Sequence, residues 1–300
     1  MALWVILAIA AATAQTIRSA GQKQLIASLG KFGASYARFI YALPFAALWL
    51  IIYGNWASSQ LPSVNSAFLF WVSIGAVTQI IFTILLMTLF AHRNFAASTA
   101  FSKTEVLQAA FLEALIIGVV VSAQTLFAIL LGVLAIMLLT IYQSRLSYQA
   151  FLTLIASRQS VIGLASGAAL GLATVTFRAA TDSLDGDDII LKASLTGFIA
   201  TLWQTIFMGA ALFILARKEL IATLISWRSG WIVGLSGAVA TACWFIAFSA
   251  HAVAPVRAVG QIELLITIGV SVFYFKERLA RTEWIAITLL GLSILLVLLS

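Results

Sequence analysis

The chain has 300 residues, of which 63% are hydrophobic and only 9% charged, with a formal net charge of +7. A soluble domain is about 45–50% apolar and about 25% charged, so the composition excludes an ordinary water-soluble globule and makes lipid the expected solvent. Cys243 is the single cysteine, which excludes an intrachain disulfide, and in a membrane chain the basic excess reads as loops facing anionic lipid, not as a nucleic-acid surface.

A spanning helix needs about 20 mostly apolar residues, and ten segments qualify in chain order. The first, Ala2–Ile17, contains Ala12-Thr13-Ala14, which resembles a signal-peptide cleavage site. No positive charge precedes it, so it counts as a span and not as a cleaved leader. Ala37–Tyr53 follows; Arg38 at its start is expected to snorkel to headgroups, and Pro44 marks a bend. Phe68–Phe90 carries Gln79. Phe95–Val119 carries Lys103, Glu105 and Glu113, although a charge at the bilayer centre costs about 2.5–3.5 kcal/mol on insertion scales. Gln124–Tyr142 closes the first half.

Val161–Ala179 contains "GLASGAALGLA" (Gly163–Ala173), a small-residue spacing that suits close helix packing, and Arg178 near its end. The stretch "TDSLDGDD" (Thr181–Asp188) lacks the spacing and final Glu of a calcium loop and reads as a solvated acidic turn. Ile190–Ala216 carries Trp203, Trp231–Ala250 carries Trp244, Val256–Phe275 carries Gln261 and Glu263, and Trp284–Leu299 is last. Trp4, Trp56 and Trp284 near span ends read as interface anchors.

The connections after odd-numbered spans hold thirteen of the 17 basic residues: Arg18, Lys23, Lys31, Arg38, Arg93, Arg145, Arg158, Arg217, Lys218, Arg228, Lys276, Arg278 and Arg281. The positive-inside rule places those connections in the cytoplasm and both termini outside.

The two halves resemble each other. Trp71–His92 and Trp231–His251 both open on Trp, carry Gly-Ala-Val early and end in Ala-His. Ser102–Glu105 ("SKTE") then falls opposite Gly260–Glu263 ("GQIE"), and Leu130–Gly132 recurs at Leu289–Gly291. These matches, in order and at offsets of about 160 residues, argue for an internal repeat. Five spans is an odd number, so the second repeat (151–300) enters the membrane upside down relative to the first (1–150), a signature of secondary transporters with substrate bound near the midplane.

With its five-plus-five spans, "ARFIYALPFA" (Ala37–Ala46) and "FKERLARTEWIAITLLG" (Phe275–Gly291), the whole chain resembles the drug/metabolite transporter superfamily in its ten-span EamA-type branch. The resemblance implies an all-α membrane protein of two inverted five-helix repeats around a central cavity. It implies a multi-pass protein of the bacterial inner membrane that exports amino acids or similar small metabolites. Two departures stand out. Gly118 lies where the second repeat has Glu277, and Lys103 and Glu105 lie where the branch's aromatic amino-acid exporter has aromatic side chains.

Lys103 and Glu105 are two positions apart on a helix and point about 200° away from each other. Each therefore needs a partner on another span or in a wet cavity, and symmetry would bring them near Gln261 and Glu263. Intramembrane ionisable groups mark substrate or proton paths. A mixed set of Lys103, Glu105, Gln79, Gln261 and Glu263 suits both ends of an amino acid, with Trp244 and Trp203 against an apolar side chain and Arg178 as a further cation. Lys103 with Glu263, or a similar pair, also reads as a buried latch holding helices together. His92 and His251 occupy equivalent positions at span ends and are weaker proton-sensing candidates.

HExxH, GxSxG, P-loop and Cys/His metal patterns are missing from the sequence. The expectation is a carrier, not an enzyme. It needs no cofactor, metal or nucleic acid, acts as a monomer, and is driven by a gradient of substrate or of protons. The competing expectation is a proton-coupled multidrug exporter of cations, which Lys103 disfavours unless paired.

Overall fold

The computed structural model describes residues 2–57, 60–90, 101–143, 157–273, 276 and 279–300. Among them the regular structure is helical: α1 Leu3–Ile40, α2 Leu43–Ala57, α3 Ser66–Phe90, α4 Glu105–Ile116, α5 Ala123–Gln143 and α6 Arg158–Asp182. The chain continues through α7 Ile189–Leu215, α8 Arg217–Ile225, α9 Trp227–Ala250, α10 Val253–Gly260, α11 Ile262–Phe273 and α12 Arg281–Leu298. Seven helical segments among the described residues are long and apolar enough to cross a membrane, with Leu3–Ala57 counted as one. Side chains such as Phe111, Leu115, Ile214 and Leu215 are exposed, as they are where lipid replaces water outside the bundle.

Helix α1 is not one straight rod. Gly30 sits at φ 71° and ψ 175° inside it, a conformation that a residue without Cβ adopts freely. Gln22 Nε2 donates to the Ala34 carbonyl at 3.0 Å, whereas a straight helix would hold those residues about 18 Å apart. The chain therefore turns back at Gly30 into a second helix. This moves the start of the second apolar segment from the expected Ala37 to Lys31. Helix α8, unexpected from the sequence, braces this turn: Glu219 Oε2 accepts from the Gly33 N–H at 2.8 Å, and Thr223 donates to the Gly33 carbonyl at 3.3 Å. The break at Tyr41 and Ala42 precedes Pro44, which has no N–H to offer the Ile40 carbonyl.

Helix α1 packs along α9, α3 along α6, and α5 along α12, while α4 lies against α6. The expected close packing of the small-residue stretch is found there. A Cβ on Gly167 would stand 2.9 Å from the Ser102 carbonyl oxygen, and one on Gly171 would stand 3.2 Å from the Ala109 nitrogen. One main apolar core draws on α1, α3, α4, α5, α6, α7, α9, α10 and α12. The halves 1–150 and 151–300 thus share their interior, and the junction between them lies largely outside the described residues.

The acidic turn is ordered by its own carboxylates. Asp188 caps α7 by accepting from the Leu191 N–H at 3.0 Å, and Asp185 accepts from Ser63 at 2.8 Å. Trp56 and Trp284 are exposed, in keeping with anchors at an interface. Trp4 instead stacks on His251, centroids 4.4 Å apart. His92 and Glu277 lie outside the described residues.

Candidate functional site

Two helices that the apolar pattern draws as continuous are broken at matching places. In the first half Phe101 and Ser102 are helical, Lys103 and Thr104 form a turn, and α4 begins at Glu105. In the second half α10 ends at Gly260, Gln261 turns, and α11 begins at Ile262. At each break the backbone tightens from i−4 to i−3 bonding: Thr104 N–H to Phe101 O at 3.3 Å, Gln261 N–H to Ala258 O at 3.1 Å. Thr104 Oγ1 adds a 2.7 Å bond to the same Phe101 carbonyl, a side-chain competitor of the helix ladder. The half-helices α4 and α11 have 12 residues each, about 18 Å, too short for a hydrocarbon core of about 30 Å. Each carries a carboxylate in its first turn, Glu105 and Glu263, where the helix dipole favours negative charge.

The two breaks are joined by a series of polar side chains, which the backbone from Lys103 to Glu105 completes into a ring. Lys103 Nζ pairs with Glu263 Oε1. Glu263 Oε2 accepts from Gln15 Nε2 at 3.4 Å, and Gln15 Oε1 accepts from Trp244 Nε1 at 3.2 Å. The Trp244 ring lies 4.6 Å from the Arg257 guanidinium. Arg257 donates to Glu105 Oε1 from Nε at 2.9 Å and also from Nη2. The ring thus ties α1, α4, α9, α10 and α11 together. Its Arg257–Glu105 side is deep, with Glu105 2% exposed and Arg257 5%, while the Lys103 and Glu263 side chains are 21% and 12% exposed. A separate pocket of about 520 Å³ is lined by Trp4, Ser122, His251 and Pro255.

The other expected residues fall around or away from the ring. Gln261 forms the second break, with its Oε1 buried and lacking a hydrogen-bond partner. Gln79 Oε1 accepts from Gln204 Nε2 at 2.5 Å. Trp203, beside Gln204, stacks on Phe207 at 5.4 Å, and its Nε1 is buried without a partner.

Arg178 is not part of the ring. It pairs with Glu113 Oε1 at 2.5 Å and with Asp182 at 3.5 Å, about 12 Å further along α4 than Glu105. Glu113 is fully buried and also accepts from the backbone N–H of Val253 (2.8 Å) and Ala254 (3.3 Å), at the first turn of α10. His251 beside it lies past the end of α9, and burial holds its pKa below the ordinary 6.5.

Arg38 corrects an expectation. It does not reach headgroups; it is buried, and Nη1 donates to Thr83 Oγ1 at 3.1 Å. The turn at Gly30 directs this part of the chain into the bundle. Arg18, counted from sequence as a loop charge, is buried on α1 as well. Both therefore leave the positive-inside tally. Gln15, Arg18, Arg257, Thr83 and Gln204 were not foreseen. Gln15, Arg18 and Gln22 do follow one another at helical spacing within an apolar run, which marks a polar stripe facing inward.

No family model matches the sequence, and no curated protein matches it. A protein of known crystal structure is similar in fold, with a TM-score of 0.69 over 99% of this chain and 96% of that one at 12% identity. The likeness establishes a shared architecture from end to end.

Proposed function

We propose that the chain is a secondary transporter that exports small metabolites, amino acids among the candidates, by alternating access across the bacterial inner membrane. In this reading it crosses the bilayer ten times, as two inverted five-helix repeats. The observation that carries the reading is the pair of helix breaks meeting at one buried and one half-buried ion pair. Discontinuous helices at the interface of two repeats are where secondary transporters bind substrate, and buried ionisable groups in a membrane face such a path.

Two further features support it. Lys103 and Gln261 sit at the breaks, and Glu105 and Glu263 open the helices that follow, in the alignment that relates the halves. The packing of α1 on α9 exchanges with that of α3 on α6 under the same relation. A multidrug exporter of cations is the weaker reading, because Glu105 and Glu263 are both engaged by cations of the chain itself.

The test is solute flux in liposomes containing the purified protein, loaded with labelled amino acids and organic acids, with and without a pH gradient. Saturable flux above that of empty liposomes supports the reading. Its absence for every solute removes it.

A further inference from the structure

Among the described residues, the buried centre holds more positive charge than carboxylates pair with. Lys103 is matched by Glu263 and Arg257 by Glu105. Arg18 and Arg38, 4% and 7% exposed, have no carboxylate of their own among the described residues. Arg38 donates to the neutral Thr83 hydroxyl and rests 5.8 Å from the Phe82 ring. The Nε of Arg18 has no hydrogen-bond partner. Glu263 acts electrostatically on Arg18, but Lys103 and Gln15 already hold that carboxylate.

The two arginines lie in the same part of the bundle. A Cβ on Gly237 would lie 3.3 Å from Arg18 Cδ and 3.7 Å from the Arg38 carbonyl oxygen, so the Arg18 stem runs beside the backbone that carries Arg38. Arg18 lies about 21 Å along α1 from Trp4, near the middle of the helix that ends at Gly30. Desolvated like charges without an anion weaken a fold. Their planar donor forks match carboxylate and phosphate oxygens, so the arrangement suits a ligand that brings its own negative charge. The two carboxylates of the ring are engaged, which leaves no matching site for an ammonium.

We propose, on the basis of the transporter reading, that the solute is a small organic anion, a carboxylate or phosphate ester without an ammonium group, whose charge is taken by Arg18 and Arg38. The ring beside it sets the remaining contacts. Arg38→Gln and Arg18→Gln each remove one half of the anion site, and Arg18→Gln also relieves the protein of an unpaired buried cation.

The experiment measures equilibrium binding and liposome flux of labelled succinate and 3-phosphoglycerate against phenylalanine, threonine and tetraphenylphosphonium, at fixed ionic strength. At least one of the two anions binds and flows. Arg18→Gln and Arg38→Gln each weaken its binding about tenfold or more, while Arg18→Gln raises the thermal stability of the unliganded protein. Anion binding without flux keeps the site and removes the transporter reading. Flux of the amino acids or of the cation with no anion binding overturns the anion site and leaves the transporter reading intact. No binding of either anion to the wild-type protein overturns the proposal without recourse to any variant.

Discussion

The carboxylate of Glu113, in the middle of one apolar stretch, accepts a 2.8 Å hydrogen bond from the backbone N–H of Val253, which opens a broken helix of the other half. The same carboxylate pairs with Arg178, so a fully buried charge is satisfied by a cation and a helix N-terminus at once. Glu113→Gln keeps the shape and removes the charge, leaving Arg178 underpaired. Loss of one partner of a buried pair costs about 3–5 kcal/mol. The expected result is a clear fall in unfolding midpoint in detergent, partly recovered in the double variant with Arg178→Gln. Equal midpoints for wild type and the single variant would contradict the assignment.

Lys103 and Glu263 connect the two breaks, and the pair must part if the halves rock against each other. Lys103→Glu and Glu263→Lys place like charges together, and each lowers solute flux about tenfold or more. The charge-swapped double variant recovers part of it, because contacting pairs show couplings of about 0.5–3 kcal/mol. Flux unaffected by either single substitution would remove the pair from the cycle.

Gly167 and Gly171 let α6 touch the backbone of Ser102, just before α4, and of Ala109 within it, where a Cβ would come to 2.9 and 3.2 Å. Gly167→Val introduces a clash with the Ser102 carbonyl and costs about 1–3 kcal/mol. Gly291, whose Cβ would meet nothing within 4 Å, serves as the control: Gly291→Ala leaves the melting temperature unchanged. The same loss at both positions would argue against close α4–α6 contact.

His251 stacks on Trp4, and its Nδ1 is buried without a hydrogen-bond partner. Burial lowers its pKa in the folded chain, so the unfolded chain takes up the proton first as pH falls. Stability is therefore full above the ordinary 6.5 and declines as pH drops through that value towards the lowered folded pKa. His251→Phe preserves the stack and flattens this dependence, as read from melting temperatures between pH 7.5 and 5. An unchanged slope would place the titrating group elsewhere.

The sequence made the membrane class legible, because composition alone rules out a water-soluble core. The partners of the charges were partly legible. The 200° angle between Lys103 and Glu105 sends them to different helices, and they do meet Glu263 and Arg257 respectively. The helix breaks were not, because apolarity along "AFSKTEVLQAAF" and "VAPVRAVGQIEL" hardly changes where the backbone does. Arg18 and Arg38 were misread for the same reason in reverse. Polar Gln22, Lys23 and Lys31 make Ile17–Ser35 look like a loop, although Gly30 folds it into two packed helices. Hydropathy averages over all faces of a helix and cannot separate a loop from an inward polar stripe.

The central claim, that a path past the broken helices opens in turn to each side of the membrane, has a direct test that needs no knowledge of the solute. Cys243, the single cysteine, is replaced by Ser, and a cysteine is introduced at the buried break as Gln261→Cys. A membrane-impermeant thiol reagent is then applied from each side of oriented vesicles. Labelling from both sides is the expected result. No labelling from one of the two sides, in protein that remains folded, would contradict alternating access and leave the ring as a static clasp between helices.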